Sequence, residues 1–418
     1  MTPKTLKACF GVLCLLSAGT ASAAKISFSD KGWIDVGALI QAQYRIEQDN
    51  AASGHDPSND FLLRRARIML AGQFNDNIGF IINTDITYGA AIVGGPTGGA
   101  NATAWNNTIY LLDALATYKF GKELMIDAGL MLLPFSHNSM TSASKYATVN
   151  NFPSYFAGNS QRATRDVGIE IRGLLLDDRI YYRLGVFNGV QTSPAGTAAA
   201  AIINPGDAPR FAGMVRFNIA GKEDGYAFCQ VCFASSPIVS VGVSSDFQAN
   251  ATRPSAPTGP TTANTALGLQ KFWALSGDIF ADIPFSSDLE LSVEGLFTKV
   301  WNGDNAPTSG WGASGVVTMR FGVIGPYFQI ETFQSDSNYV GFTRVGTTTT
   351  ANTAGDLTTY RGGVSWYVYQ HTYKVSAEIA FQSKENAGVT TSVGTPAVAI
   401  GTITPNHWVG TLQFQAVF

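Results

Sequence analysis

Polar and apolar residues alternate along most of this chain with a period of two. In IDVGALIQAQYRI, Ile34, Val36, Ala38, Ile40, Ala42, Tyr44 and Ile46 form one file, and Asp35, Gln41, Gln43, Arg45 and Glu47 belong to the other. The same sorting recurs in LMIDAGLML with Asp127 on the polar face, in LELSVEGLF with Glu290 and Glu294, and in YKVSAEIAF with Lys374 and Glu378. It closes the chain in HWVGTLQFQAVF, where Trp408, Leu412, Phe414 and Phe418 oppose His407, Thr411, Gln413 and Gln415. A strand sends successive side chains to opposite faces, so each segment has one greasy face and one wet face. The pattern predicts strands near 33–47, 60–74, 78–89, 108–120, 123–133, 165–175, 179–188, 209–219, 237–248, 270–283, 288–301, 312–323, 325–334, 357–369, 372–384 and 406–418.

A soluble β-sandwich alternates in the same way, with its apolar faces inside. The connections separate the two architectures. Short links (NDN after Phe74, GK after Phe120, LDD before Arg179, PFSSD after Ile283, QHT around His371) take turns with long ones, among them EQDNAASGHDPSND, Pro134 to Thr164, and VGTTTTANTAGD. Transmembrane barrels have tight periplasmic turns and long outer loops in that order. Ten to thirteen residues at roughly 3.3 Å each, tilted by about 40°, rise on the order of 25–33 Å, enough to cross the apolar band. The expectation is an all-β, antiparallel, up-and-down transmembrane barrel of sixteen strands, with long outer loops. Its last strand pairs with the first, so no backbone group faces lipid unpaired. Arg64 is an exception on the apolar file of FLLRRARIMLAG, and parity places it toward lipid at the outer rim, where a cation costs about 0–1 kcal/mol.

Composition narrows this further. Hydrophobic residues make up 45% and charged residues 14% of the 418, below the roughly 25% charge of soluble domains, yet no mature stretch is apolar for the 18 or so residues a spanning helix needs. Residues 1–23 read as a signal peptide: Lys4 and Lys7, the run ACFGVLCLLSAG, then ASA ending at Ala23. The barrel is then 24–418, in the outer membrane of a Gram-negative bacterium. Without the signal, 25 basic residues face 30 acidic ones, a net charge near −5, and nothing in that balance suggests nucleic acid.

Sixteen strands enclose an aqueous channel, so function should lie in the lumen. The inward files carry Arg45, Arg65, Arg67, Lys119, Arg172, Arg183, Arg216 and Arg361, and also Asp85, Asp113, Asp127, Glu170, Glu294 and Glu378. Arginine rings favour anions and carboxylate rings favour cations; both occur, which leaves the sign of selectivity open. The longest connection, PFSHNSMTSASKYATVNNFPSYFAGNSQRAT, is polar with Phe152, Tyr155 and Phe156, and is expected to fold inward as a constriction loop. Lys145, Arg162 and Arg165, with Arg65 and Arg67, are the candidates for an anion-attracting constriction.

The remaining oddity is YAFCQVCFASS. Cys229 and Cys232 lie in the connection 220–236, which strand order makes periplasmic and which should be short. The compartment is oxidising, so a small disulfide is the plain reading; an enlarged turn that docks a periplasmic partner is the functional one. Phe233 stands where a haem-attachment motif needs histidine, and no cofactor is implied.

The segments FLLRRARIMLAGQF, AGLMLLPFS, RDVGIEIRG with YYRLGVFNG, and LQFQAVF resemble the porin family typified by the phosphate-selective porins O and P. The resemblance implies a sixteen-stranded barrel, commonly trimeric, that conducts small solutes through the outer membrane, and in phosphate-selective members an arginine ladder and a lysine cluster that bind the anion. Arg65, Arg67, Arg172 and Arg216 are compatible with part of such a ladder, whereas the loop offers only Lys145 as lysine. The leading expectation is therefore not an enzyme. It is a porin for passive diffusion of small hydrophilic solutes or anions, embedded in outer-membrane lipid as a homotrimer. The alternative is a barrel that sheathes a separate multihaem cytochrome in an electron conduit.

Overall fold

The computed structural model describes residues 24–48, 56–87, 108–149, 164–189, 207–223, 225–252, 255–256, 259–263, 269–303, 309–336, 340–345, 348–353, 357–384, 392–393, 398–399 and 407–418. Sixteen spanning strands lie at the predicted places. They are β1 (Trp33–Glu47), β2 (Ser58–Gln73), β3 (Ile78–Thr87), β4 (Thr108–Lys119), β5 (Met125–Leu132), β6 (Arg165–Leu175), β7 (Ile180–Phe187) and β8 (Arg210–Ala220), followed by β9 (Ile238–Thr252), β10 (Gln270–Ser286), β11 (Leu289–Asn302), β12 (Gly310–Phe321), β13 (Ile324–Ser335), β14 (Leu357–Tyr369), β15 (Tyr373–Lys384) and β16 (His407–Val417). Each pairs antiparallel with its sequence neighbours.

The sheet closes on itself. β16 runs beside β1 from Glu47↔Val409 to Leu39↔Val417, and the main chains of Ala38 and Phe418 exchange both hydrogen bonds. A seventeenth strand, Ala24–Ser27, is a stub that carries on along the same edge of β1, from Val36 to Trp33. With both ends on that edge, strand pairing runs the length of the seam and closes the barrel, as hydrocarbon surroundings require.

The wall is inside-out relative to a soluble protein. Ile169 is 59% exposed and its neighbour Glu170 is 0%; Ile279 and Ile379 face out while Asp278 and Glu378 are buried. This inversion rules out the sandwich, whose apolar faces would be enclosed. Aromatic rings mark the margins of the apolar band. Phe28, Phe74 and Phe80 cluster at the short-turn end. Trp273 and Trp301 stack at the other end, with Lys271 and Lys299 each lying over an indole. Such girdles belong at the two interfaces of a membrane barrel.

Tight turns close the short end. Asn75 Oδ1 accepts from the N–H groups of Asn77 and Ile78, and Leu176, Asp177 and Asp178 turn with φ of 52°, 52° and 67°, a region Asp tolerates better than most residues. The turn after β8 differs from these, as described below.

One strand departs from strict alternation. On β2, Gln41 faces Arg65 but Ala42 faces Leu63, so Arg64 is an extra residue in a β-bulge. A bulge sets two residues against one and changes which side chains share a face. Arg64 therefore does not point to lipid as parity alone suggests; its charge lies within reach of Tyr110, Tyr146, Arg67 and Asp85, all on the lumen side.

Candidate functional site

Two segments enter the barrel. The first follows β5: of the loop 134–164, residues 134–149 and 164 are described, with a single helical turn α1 (His137–Met140). Most of this stretch is buried, with Ser142, Ser144 and Tyr146 half-buried and Lys145 exposed. It is tied to the far wall mostly through main-chain atoms. Gln41 Nε2 donates to Ala143 O at 3.1 Å, Gln415 Nε2 to Ser144 O at 2.9 Å, Lys374 Nζ to Tyr146 O at 2.7 Å and Ser365 Oγ to Ala147 O at 3.2 Å. Val149 N–H donates to Glu378 at 3.0 Å, and His137 N–H donates to Asp278 at 3.2 Å. The segment thus crosses the bore from β5 to β14–β16 and β1. Phe152, Tyr155, Phe156 and Arg162 lie outside the described residues.

The second segment is the turn between β8 and β9, residues 221–237. Rather than projecting from the barrel, it folds up into the lumen and meets the loop. Phe228 N–H donates to Met140 O and Ser142 N–H to Phe228 O, each at 3.0 Å, which makes a parallel bridge between Thr141 and Phe228. Gln230 N–H donates to Lys145 O, and Gln230 Oε1 accepts from Ala147 N–H. Tyr226 Oη donates to Asp113 and accepts from Leu132 N–H. A disulfide joins Cys229 to Cys232 at the tip. The apolar Phe228 and Val231, 3% and 0% exposed, are used inside the barrel, while Gly221, Lys222, Ser235 and Ser236 of the same turn are exposed.

His137 pins the two segments together. Its ring stacks between Phe228 of the turn and Phe280 of β10, with centroids at 5.1 and 4.2 Å. Nε2 is 2.7 Å from Glu223 and Nδ1 is 3.6 Å from Glu294. Burial opposes a charge on this ring, but the two carboxylates outweigh it and push its pKa up to about 9. Burial likewise would raise Glu223, yet His137 and Arg216 hold it down to about 2. A raised histidine stabilises fully below its unfolded value near 6.5 and loses that contribution as pH climbs through about 9; the lowered Glu223 contributes above about 4.5 and fails only as pH falls through about 2. The expected result is a drop in the thermal midpoint of the barrel, followed by circular dichroism, between pH 7 and pH 10. His137→Gln should flatten that drop, and an unchanged slope in the variant would mean that other groups cause it.

The two segments decide which arginines can meet a solute. Arg172 pairs with Asp127 at 2.6 Å, Arg183 with Glu170 at 2.6 Å, and Arg216 with Glu223 at 3.0 Å and with Asp278. Arg210–Asp246, Arg320–Glu290 and Arg361–Glu331 repeat the motif around the wall. These guanidinium groups are buried with their charge matched, Arg183, Arg216 and Arg320 lying over Tyr226, Phe228 and Phe233 of the turn. Most inward side chains of β5 to β16 are buried in the same way.

Partial exposure persists on the inward side of β1 to β4, opposite Ser142, Ser144, Lys145 and Tyr146 of the loop. On this strip Arg45 pairs with Glu47 at 2.9 Å and Arg67 with Asp85 at 2.8 Å, and Arg165, at the start of β6, reaches Asp113 of β4 at 2.9 Å. Arg65 donates to the neutral Gln41 at 2.6 Å. Among the described residues Arg64 has no carboxylate partner, and Lys145 is exposed and makes only main-chain hydrogen bonds. Sequence reasoning marks Arg64 only as a break in parity facing lipid, not as a lumen residue, and does not single out Tyr110 or Tyr146.

A closed sixteen-stranded antiparallel barrel with tight turns at one end is the fold that solved outer-membrane porins share, and this chain has that fold. Its residues 34–202 match the family described as phosphate-selective porin O and P, which bears out the resemblance seen in the sequence. Solved structures with the same fold include the anion-selective porin from Comamonas acidovorans, at 12% identity and TM-score 0.55 over 93% of this chain and 100% of that one. They also include OprB of Pseudomonas putida, at 8% identity and TM-score 0.58 over 92% and 94%, and the outer membrane channel DcaP of Acinetobacter baumannii, at 12% and 0.54 over 94% and 100%. No curated protein sequence matches.

Proposed function

We propose that the barrel is a passive diffusion channel for small hydrophilic solutes that prefers anions, and that it works as a homotrimer after removal of residues 1–23. The observation that carries the anion preference is the charge balance of the open strip. Arg45, Arg67 and Arg165 are ion-paired with carboxylates, while among the described residues Arg64, Arg65 and Lys145 form no such pair. Uncompensated cations in a narrow, low-dielectric passage raise the local concentration of anions. The anion-selective porin from Comamonas acidovorans, alike in fold, is in keeping with this, and so is the trimer form of the Vibrio cholerae protein OmpT, at 10% identity and TM-score 0.53 over 93% of this chain and 100% of that one.

Transport of this kind needs no bond-making residue and no cofactor. A sheath around a cytochrome gains nothing from the geometry, because the lumen is occupied by the chain's own loop and turn. In a planar bilayer with a potassium chloride gradient, the reversal potential should have the sign of chloride. A potential of potassium sign would overturn the anion preference but leave the diffusion channel standing, and the absence of any conductance would remove both.

A further inference from the structure

The CQVC motif at the tip of the inner turn is not used by diffusion itself, and its position is specific. Cys229 and Cys232 are both half-buried. The residues they enclose and flank are the ones that hold the loop. Gln230 binds Lys145 O through its N–H, Ala147 N–H through Oε1 and Glu294 through Nε2. Val231 O accepts from His371 Nε2 at 2.6 Å. Phe233, directly after the bridge, has a φ of 51°, a left-handed conformation unfavourable for a residue with a side chain.

We infer that the Cys229–Cys232 bridge is a redox-sensitive strut: while oxidised it holds the tip of the inner turn in the folded-back shape that seats residues 145–147 of the loop beside the open strip. The bridge brings the two Cα atoms to 5.4 Å, and that fold-back lets Phe228 and Gln230 reach the loop while Val231 reaches the wall. Once it is broken, Phe233 relaxes out of its left-handed conformation, Gln230 loses its register with Lys145 and Ala147, and the loop is left with its ties to the far wall.

The chemistry balances with a dithiol as reductant. A thiolate of the dithiol attacks one cysteine sulfur, the S–S bond breaks and the other cysteine leaves as thiolate. The second thiol of the reductant then displaces the first cysteine and closes a cyclic disulfide. The protein gains two electrons and two protons, ending with two thiols, and the dithiol is oxidised by the same amount.

The inference rests on the barrel being a conducting channel, and the test keeps the two apart. Purified full-length protein is inserted in a planar bilayer and recorded before and after dithiothreitol is added on the short-turn side, with free thiols confirmed by alkylation and mass spectrometry. Open-channel current noise should rise severalfold on reduction and return on reoxidation. The variant carrying Cys229→Ser and Cys232→Ser should be noisy from the start and indifferent to reductant. If that variant does not assemble, the reduction of wild-type channels already in the bilayer decides alone. A quiet, unchanged current after verified reduction overturns the strut, whereas no current before reductant overturns the channel instead.

Discussion

Exchanging Arg64 and Arg65 together for glutamate should turn the channel from anion-preferring to cation-preferring. The two guanidinium groups sit side by side on the bulge of β2, within electrostatic reach of each other and of Arg67. Neither forms an ion pair with a carboxylate among the described residues; Asp85, which acts on both, is itself paired with Arg67. Reversing them leaves Lys145 as the unmatched cation of the strip. The length scale of the effect gives a control. At about 0.1 M salt the Debye length is about 10 Å, comparable with a narrowed bore, and at 1 M it is about 3 Å; the change in reversal potential between parent and variant should therefore be large in dilute salt and small in concentrated salt. Arg183→Met with Glu170→Leu should leave selectivity unchanged, since that pair is matched and buried. A double glutamate variant that keeps the chloride sign in dilute salt would show that the passage lies elsewhere.

The second large effect concerns the wall. Ile169→Arg should destabilise the barrel by about 2–4 kcal/mol if the site lies at the bilayer midplane, because Ile169 sits mid-strand on β6 and faces outward. The adjacent Glu170→Ala should cost a similar amount, about 3–5 kcal/mol, for the opposite reason: it strands Arg183 as an unpaired buried charge. Ile169→Leu serves as the neutral reference. Urea unfolding of vesicle-inserted protein, read by tryptophan fluorescence, measures all three. A freely tolerated Ile169→Arg would mean that this face does not meet hydrocarbon, and the inside-out reading would fall with it.

Much of the fold could be read from parity alone. A strand's period of two is fixed by covalent geometry, so residues such as Ile34 to Ile46 sort themselves without knowledge of any partner, and all sixteen strands lie where the alternation places them. Parity fails where the backbone breaks the period. Arg64 was assigned to lipid at the rim because a strand without a bulge puts it there; the extra residue that turns it inward arises from pairing with Gln41 and Ala42, which only the folded sheet supplies. The site was less legible for a related reason. Arg172, Arg183 and Arg216 have the right parity for a pore lining, but whether a lumen side chain meets water depends on what lies over it. The covering segments are connections, whose course no periodicity constrains. The apolar Tyr226, Phe228 and Val231 in what should be a short polar turn were the available sign that 221–237 packs indoors.

The ties that seat the loop grip carbonyl oxygens and amide hydrogens of Ala143, Ser144, Tyr146, Ala147 and Val149. A socket that reads the polypeptide backbone is largely indifferent to which amino acids pass through it. Point changes at Ser144 or Lys145 can thus alter what the passage admits while the loop keeps its seat, so a lineage could retune this gate one residue at a time without first having to rebuild the wall that supports it.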